Sequence, residues 1–239
     1  MSNPPPRHLP LLLVFVAICA ALGLGLGERW FSKSGANVGP SAPDLSAGTS
    51  EPARGTPRLS DQAVVYPVPR VLEPFSLQGA NGSALSNADL RGGWTVAFFG
   101  FTNCPDVCPT ALATMRGIEK LSLEAPNAEG STKLPLNYWF VSVDPERDTP
   151  AVLRKYAEYF SPSIVAATAP AEDIERFARD VGVVFLKVPQ AAGDYTIDHS
   201  MQMLLFDPRG RLHAMWRPPH SAPRMLDDIA SIAAAASRA

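Results

Sequence analysis

The sequence predicts an α/β domain, a mixed sheet flanked by helices, behind one N-terminal transmembrane helix. Three observations predict it. Residues 96–99 form an apolar, β-prone run, as a strand buried on both faces should be, and the run leads through a turn into a helical pattern. The segments that follow read β-α-β-α-α-β-β-α, an order that suits a mixed sheet covered by helices. Residues 9–27 are almost wholly apolar and uncharged. At the helical rise they would span about 28 Å, close to a bilayer core.

Taken in order, residues 1–8 read as a short cytoplasmic N-terminus carrying Arg7 and His8, and 9–27 as the anchor, followed by Glu28 and Arg29. The topology this implies is a single pass of the inner (cytoplasmic) membrane, with the large domain on the periplasmic or extracytoplasmic side. A cleaved signal peptide is the rival reading. The apolar run is long for one, and no clear Ala-x-Ala site follows it. Cys19 lies inside this run, where Ile18 spoils a lipoprotein cleavage motif, so it reads as a small membrane-buried residue. Residues 28–67 are rich in Pro, Gly, Ser and Ala and read as a flexible tether.

Residues 68–239 form the predicted domain, long enough for a real core. Phe75 to Leu77, the turn Gly79-Ala-Asn-Gly82 and Ala84-Leu85 suggest a small hairpin. After the strand at 96–99, Asn103, Pro105 and Asp106 suit a turn or helix start, and Pro109 suits the first helical turn. Residues 111–123 then place Leu112, Met115, Ile118 and Leu121 on roughly one helical face. A polar loop covers 125–135, and a second strand covers 137–143. Thr149 caps a helix that Pro150 opens and that runs to about Tyr159. A helix at 171–181, a short strand at 183–188, strands at 201–207 and 211–216, and an Ala-rich helical tail from Ala222 complete the chain. The net charge of −2 and the lack of a basic run give no footprint for nucleic acid.

Cys104 and Cys108 stand at the junction of strand and helix, and they are the only cysteines outside the N-terminal apolar run. A helix N-terminus offers unpaired N–H groups and partial positive charge, which favour thiolate over thiol. A four-residue offset brings both sulfurs to the same side of a helical turn. The pair could form a disulfide, hold one soft metal ion, or serve as plain buried structural residues.

Three stretches carry a family resemblance: Phe99-Gly-Phe-Thr-Asn-Cys-Pro-Asp-Val-Cys-Pro-Thr110, Val141-Ser-Val-Asp-Pro-Glu-Arg-Asp-Thr-Pro150 and Tyr195-Thr-Ile-Asp-His-Ser200. Together they resemble the signatures of the Sco/SenC family, membrane-tethered copper chaperones of cytochrome c oxidase assembly. The resemblance spans roughly residues 68–216. It implies a thioredoxin-like fold and one copper ion, Cu(I) or Cu(II), held by Cys104, Cys108 and His199. It also implies delivery to the copper-bearing subunit of the oxidase, with a periplasmic copper donor and a thiol reductant as further partners. The residue chemistry agrees. Copper(I) is soft and takes thiolate and imidazole, whereas a structural zinc wants four ligands and the chain has no second cysteine pair. The alternative function is a thiol–disulfide oxidoreductase with Cys104 and Cys108 as its redox pair, a role that does not need His199.

Other candidates carry less. Asp106 and Asp144 could orient the cysteine loop or meet a partner. Glu146, Arg147 and Asp148 read equally as a local charge network or as part of a rigid capped turn. Asp198 could reach the His199 ring, although neighbours on an extended chain point to opposite sides. Met201 and Met203 read as core packing before thioether ligation. His213 and His220 read as surface residues. A peroxidase is disfavoured, because Phe101 stands where peroxiredoxin-type sites carry Thr or Ser. Residues 166–169 depart from the family pattern at a loop, and 127–133 look like a long polar insertion.

Overall fold

The computed structural model describes residues 59–124 and 134–238. The predicted anchor, most of the tether and the polar insertion therefore lie outside the described residues. Among the described residues no helix is long and apolar enough to cross a membrane.

The strands are β1 (Ala63–Arg70), β2 (Ser76–Gly79), β3 (Ala84–Ser86), β4 (Trp94–Gly100), β5 (Leu136–Ser142), β6 (Ile164–Thr168), β7 (Phe185–Pro189), β8 (Tyr195–His199), β9 (Met203–Phe206) and β10 (Leu212–Trp216). The helices are α1 (Val107–Glu124), α2 (Pro150–Phe160), α3 (Ala171–Asp180) and α4 (Ala222–Ala236). Eight strands form one sheet in the order β1-β10-β9-β4-β5-β6-β2-β3, and β7 and β8 form a separate two-stranded sheet. β4, β5 and β6 run parallel, and β9 runs antiparallel to β4, so the sheet is mixed as expected.

β4 lies in the middle, buried at every position. Its two faces meet different helices, because successive side chains on a strand point to opposite sides. Phe99 meets Phe177 of α3, with ring centroids 5.4 Å apart. Phe98 and Gly100 face the other way, toward the start of α1. α1 buries Cys108, Ala111, Leu112, Met115 and Ile118 on one stripe. It packs on α4 so closely that a Cβ on Gly117 would stand 2.9 Å from that of Ala222.

Three boundaries differ from the sequence reading. β1 takes in residues 63–67, which composition had assigned to the tether. Val64 and Val65 pair with Met215 and Ala214 at the sheet edge, so partner strands order a stretch whose own composition does not. Ser60 is fixed as well, its amide and hydroxyl both donating to buried Asp228, at 2.8 and 2.5 Å. Residues 166–168, expected as part of a loop at 166–169, instead close β6. Its pairing with β5 and β2 decides the matter. Tyr195–His199, expected to lead into a strand, is itself a strand, paired with β7 from Phe185↔His199 to Pro189↔Tyr195. The β2–β3 hairpin and the α2 cap agree with expectation, the Thr149 side chain accepting from the Val152 amide at 3.4 Å.

Candidate metal centre

The cysteine loop leaves β4 at its carboxyl end, the end at which parallel α/β sheets place their ligands. Cys104 precedes α1 and Cys108 lies in its first turn. Both are free thiols. Cys108 is fully buried, whereas Cys104 keeps 9% of its surface exposed. The Cys108 amide donates to the Cys104 sulfur at 3.5 Å, a bond supplied by the open N-terminus of α1.

His199 ends β8 and reaches the loop from 91 residues away, its Nε2 3.4 Å from Cys108 Sγ. One ligand atom from each of Cys104, Cys108 and His199 lies within 4.8 Å of the others. The imidazole is oriented on its far side, where Nδ1 stands 2.9 Å from the Ser200 carbonyl. A carbonyl can only accept, so Nδ1 carries the proton and the lone pair of Nε2 faces the sulfurs. Phe98 and Phe101 close the imidazole edgewise, each with centroids 5.8 Å away. Two sulfurs and one nitrogen therefore meet in an apolar setting, a donor set that suits a soft ion.

The pair is electrostatically uneven. The Cys108 thiol donating to Cys104 holds the Cys104 thiol far below its ordinary range, against the opposing effect of burial, and the amides of Asp106 and Cys108 assist. Cys108 is pushed upward, first by its bond to Cys104 and then by burial. Both directions make Cys104 the sulfur that ionises first.

Asp148 ties the loop to the sheet. Its buried carboxyl group accepts from the Thr102 amide at 3.0 Å, the Thr102 hydroxyl at 2.6 Å and the Ser142 hydroxyl at 2.5 Å. Asp144, also buried, accepts from Arg147 Nε at 2.6 Å and from the Tyr195 hydroxyl at 2.7 Å. The segment from Asp144 to Pro150 is thus both a charge network and a capped turn, and the two readings do not compete.

The remaining candidates resolve differently. Asp198 is exposed and makes no bond to the His199 ring. Met203 is core, whereas Met201 is 43% exposed, because the strand begins only at Met203. Met201 and Asp106 instead border a hollow of about 170 Å³ with Phe98, Pro218 and His220. His213 and His220 are half-buried rather than surface residues. His213 lies edgewise on Trp94, 3.6 Å from Asp207, and His220 sits 3.2 Å from the Trp216 carbonyl. Burial pushes both imidazoles below their ordinary range. Isolated histidines carry no periodicity from which such burial could be read. Tyr195 stands out in the sequence only as part of a motif, and nothing local to it announces the bond to Asp144.

A buried strand that delivers two cysteines to a helix start, in a mixed sheet flanked by helices, defines a thioredoxin-like dithiol protein with an imidazole added to its site. The chain belongs to the SCO1/SenC family, whose model matches residues 66–234. The mitochondrial SCO1 homolog 1 of Arabidopsis thaliana is 33% identical over 157 residues, 65% of this chain and 45% of that relative, so the chain spans less than half of that protein's length. The crystal structure of Arabidopsis thaliana ScoI with copper bound aligns with a TM-score of 0.63 at 30% identity, covering 69% of this chain and 99% of that one. BsSco, a member of the Sco family of cytochrome c oxidase assembly proteins in which a disulfide switch has been identified, aligns with a TM-score of 0.55 at 25% identity, over 73% of this chain and 98% of its own.

Proposed function

We propose that this protein is a copper metallochaperone that binds one copper ion through Cys104, Cys108 and His199 and delivers it to the copper-bearing subunit of cytochrome c oxidase during assembly. The observation that carries the reading is the 3.4 Å approach of His199 Nε2 to Cys108 Sγ. A dithiol exchanging disulfides has no need of an imidazole with its lone pair held at the sulfurs. A three-coordinate soft ion does. Copper bound in the ScoI relative supports the choice of ion.

Copper is cargo here, so the site must release it as well as hold it. Cys104, the less buried sulfur and the one whose thiol is depressed, offers the edge at which an incoming thiolate replaces a protein ligand. Cys108 and His199 hold the ion from inside until the last exchange. Residues 9–27 supply the membrane anchor and the stretch from 28 to the start of the domain the tether, which keeps the domain near a membrane-embedded acceptor on the periplasmic side. A periplasmic copper donor and a thiol reductant complete the cycle, because the cysteines must be reduced to bind in an oxidising compartment.

The same asymmetry favours a second reading, a thiol–disulfide oxidoreductase. The Cys104 thiolate would attack a target disulfide, releasing one target thiolate. Cys108 would then attack Cys104, releasing the second and leaving a Cys104–Cys108 disulfide, two electrons passing to the target. Copper stoichiometry with spectroscopy separates the two. The reduced wild type should bind one copper per chain, and His199→Ala should weaken binding far more than Met201→Ala. Equal effects would refute the ligand set. A His199→Ala strain with intact oxidase assembly would move the assignment to the oxidoreductase.

A further inference from the structure

The hairpin that carries His199 is not part of the main sheet, since β7 and β8 pair only with each other. Something else must hold the imidazole over the cysteines. Apart from His199 to Cys108 and to its chain neighbour Ser200, every hydrogen bond or ion pair that Phe185–His199 makes outside itself, among the described residues, goes to Asp144, Glu146 or Arg147. Arg147 Nη1 donates to the Tyr195 carbonyl at 2.8 Å and to Asp194 at 3.2 Å, while its Nε holds buried Asp144 at 2.6 Å. The guanidinium carbon lies over the Tyr195 ring, 3.8 Å from its centroid, and 5.9 Å from that of Phe101. Phe101 in turn meets the imidazole edgewise. Tyr195, Ile197 and His199 share one face of β8, with Ile197 buried between its two ends. Tyr195 is therefore pinned about 13 Å from His199 on a stiff extended segment.

We infer that Arg147, with Asp144 and Tyr195, is a latch that holds the β7–β8 hairpin against the cysteine loop, and that Arg147 and Tyr195 are positioning residues for the His199 ligand. The inference rests on the three-ligand reading above. Arginine suits the task because one planar group bonds two partners and stacks on a ring at once, which a lysine ammonium cannot do. Asp144 anchors it from inside the domain, so the latch joins the loop after β5 to a hairpin with no sheet bonds to that loop.

The test uses the full chain, reduced, with Cu(I) affinity read by competition against a chromophoric chelator. Arg147→Lys should weaken Cu(I) binding about tenfold, the usual scale for a residue that orients a metal ligand, and Tyr195→Phe should weaken it less. Neither should weaken it further in a His199→Ala background, because both act through His199. In the metal-free protein, amide hydrogen exchange across residues 196–199 should speed up in both variants. An equal loss with and without His199, or unchanged exchange, overturns the latch. If Arg147→Lys does not fold, Tyr195→Phe decides by the same two readouts. A wild type that takes up no Cu(I) refutes the copper reading instead, and the exchange rates then judge the latch alone.

Discussion

Gly100 and Cys108 leave no room for one another: a Cβ built on Gly100 would stand 2.5 Å from the Cys108 sulfur. The same atom would lie 3.1 Å from the Phe98 ring and 3.2 Å from the Phe140 ring. The end of β4 is therefore bare so that a sulfur can occupy the space a side chain would take. Gly100→Ala should push Cys108 off its position, destabilise the domain by about 1–3 kcal/mol and weaken copper binding. Urea unfolding and chelator competition measure the two effects, and a variant with wild-type affinity would show that the sulfur can move freely.

Copper uptake should release about one proton per ion between pH 7 and 8, not two. Cys104 is held as thiolate and brings no proton to lose, whereas the raised Cys108 thiol must give up its own. Affinity should rise with pH over this window, because the bound form carries fewer protons than the free one. Calorimetry in buffers of different ionisation enthalpy counts the protons. A count near two would mean that both sulfurs start as thiols.

Iodoacetamide should modify Cys104 before Cys108 in the reduced, metal-free protein. Cys104 combines the depressed thiol with the exposed edge, while Cys108 is fully buried. Mass spectrometry of the peptides, timed over the reaction, gives the order. Bound copper should protect both, and faster labelling of Cys108 would reverse the assigned asymmetry.

Asp148→Ala should cost about 3 kcal/mol of stability, since it strands a buried hydroxyl and the Thr102 amide that the carboxyl group now satisfies. Asp148→Asn should cost less, because an amide oxygen still accepts. Equilibrium unfolding of the two variants checks the order. Equal costs would mean that the negative charge, rather than bond number, is what matters there.

Much of this protein was legible from local pattern. A short, β-prone apolar run bounded by turn residues reads as a buried strand, so β4 and the cysteine pair at its end were placed by composition and spacing. Thr149 and Pro150 declare a helix start through chemistry confined to one turn. The motif containing His199 named the third donor without saying where it stood. Residues 166–168 and the half-buried His213 and His220 were misread, because alanines and lone histidines take their state from whatever packs on them.

The amino-acid order alone therefore determined the elements with short-range signals, and which residues carry sulfur and nitrogen chemistry. Only the tertiary structure decided that His199 Nε2 lies 3.4 Å from Cys108, that its hairpin stands outside the main sheet, and that Arg147 reaches Tyr195. The physical reason is range. Strand and helix signals repeat within a few residues, whereas a contact across 91 positions depends on how every intervening element packs.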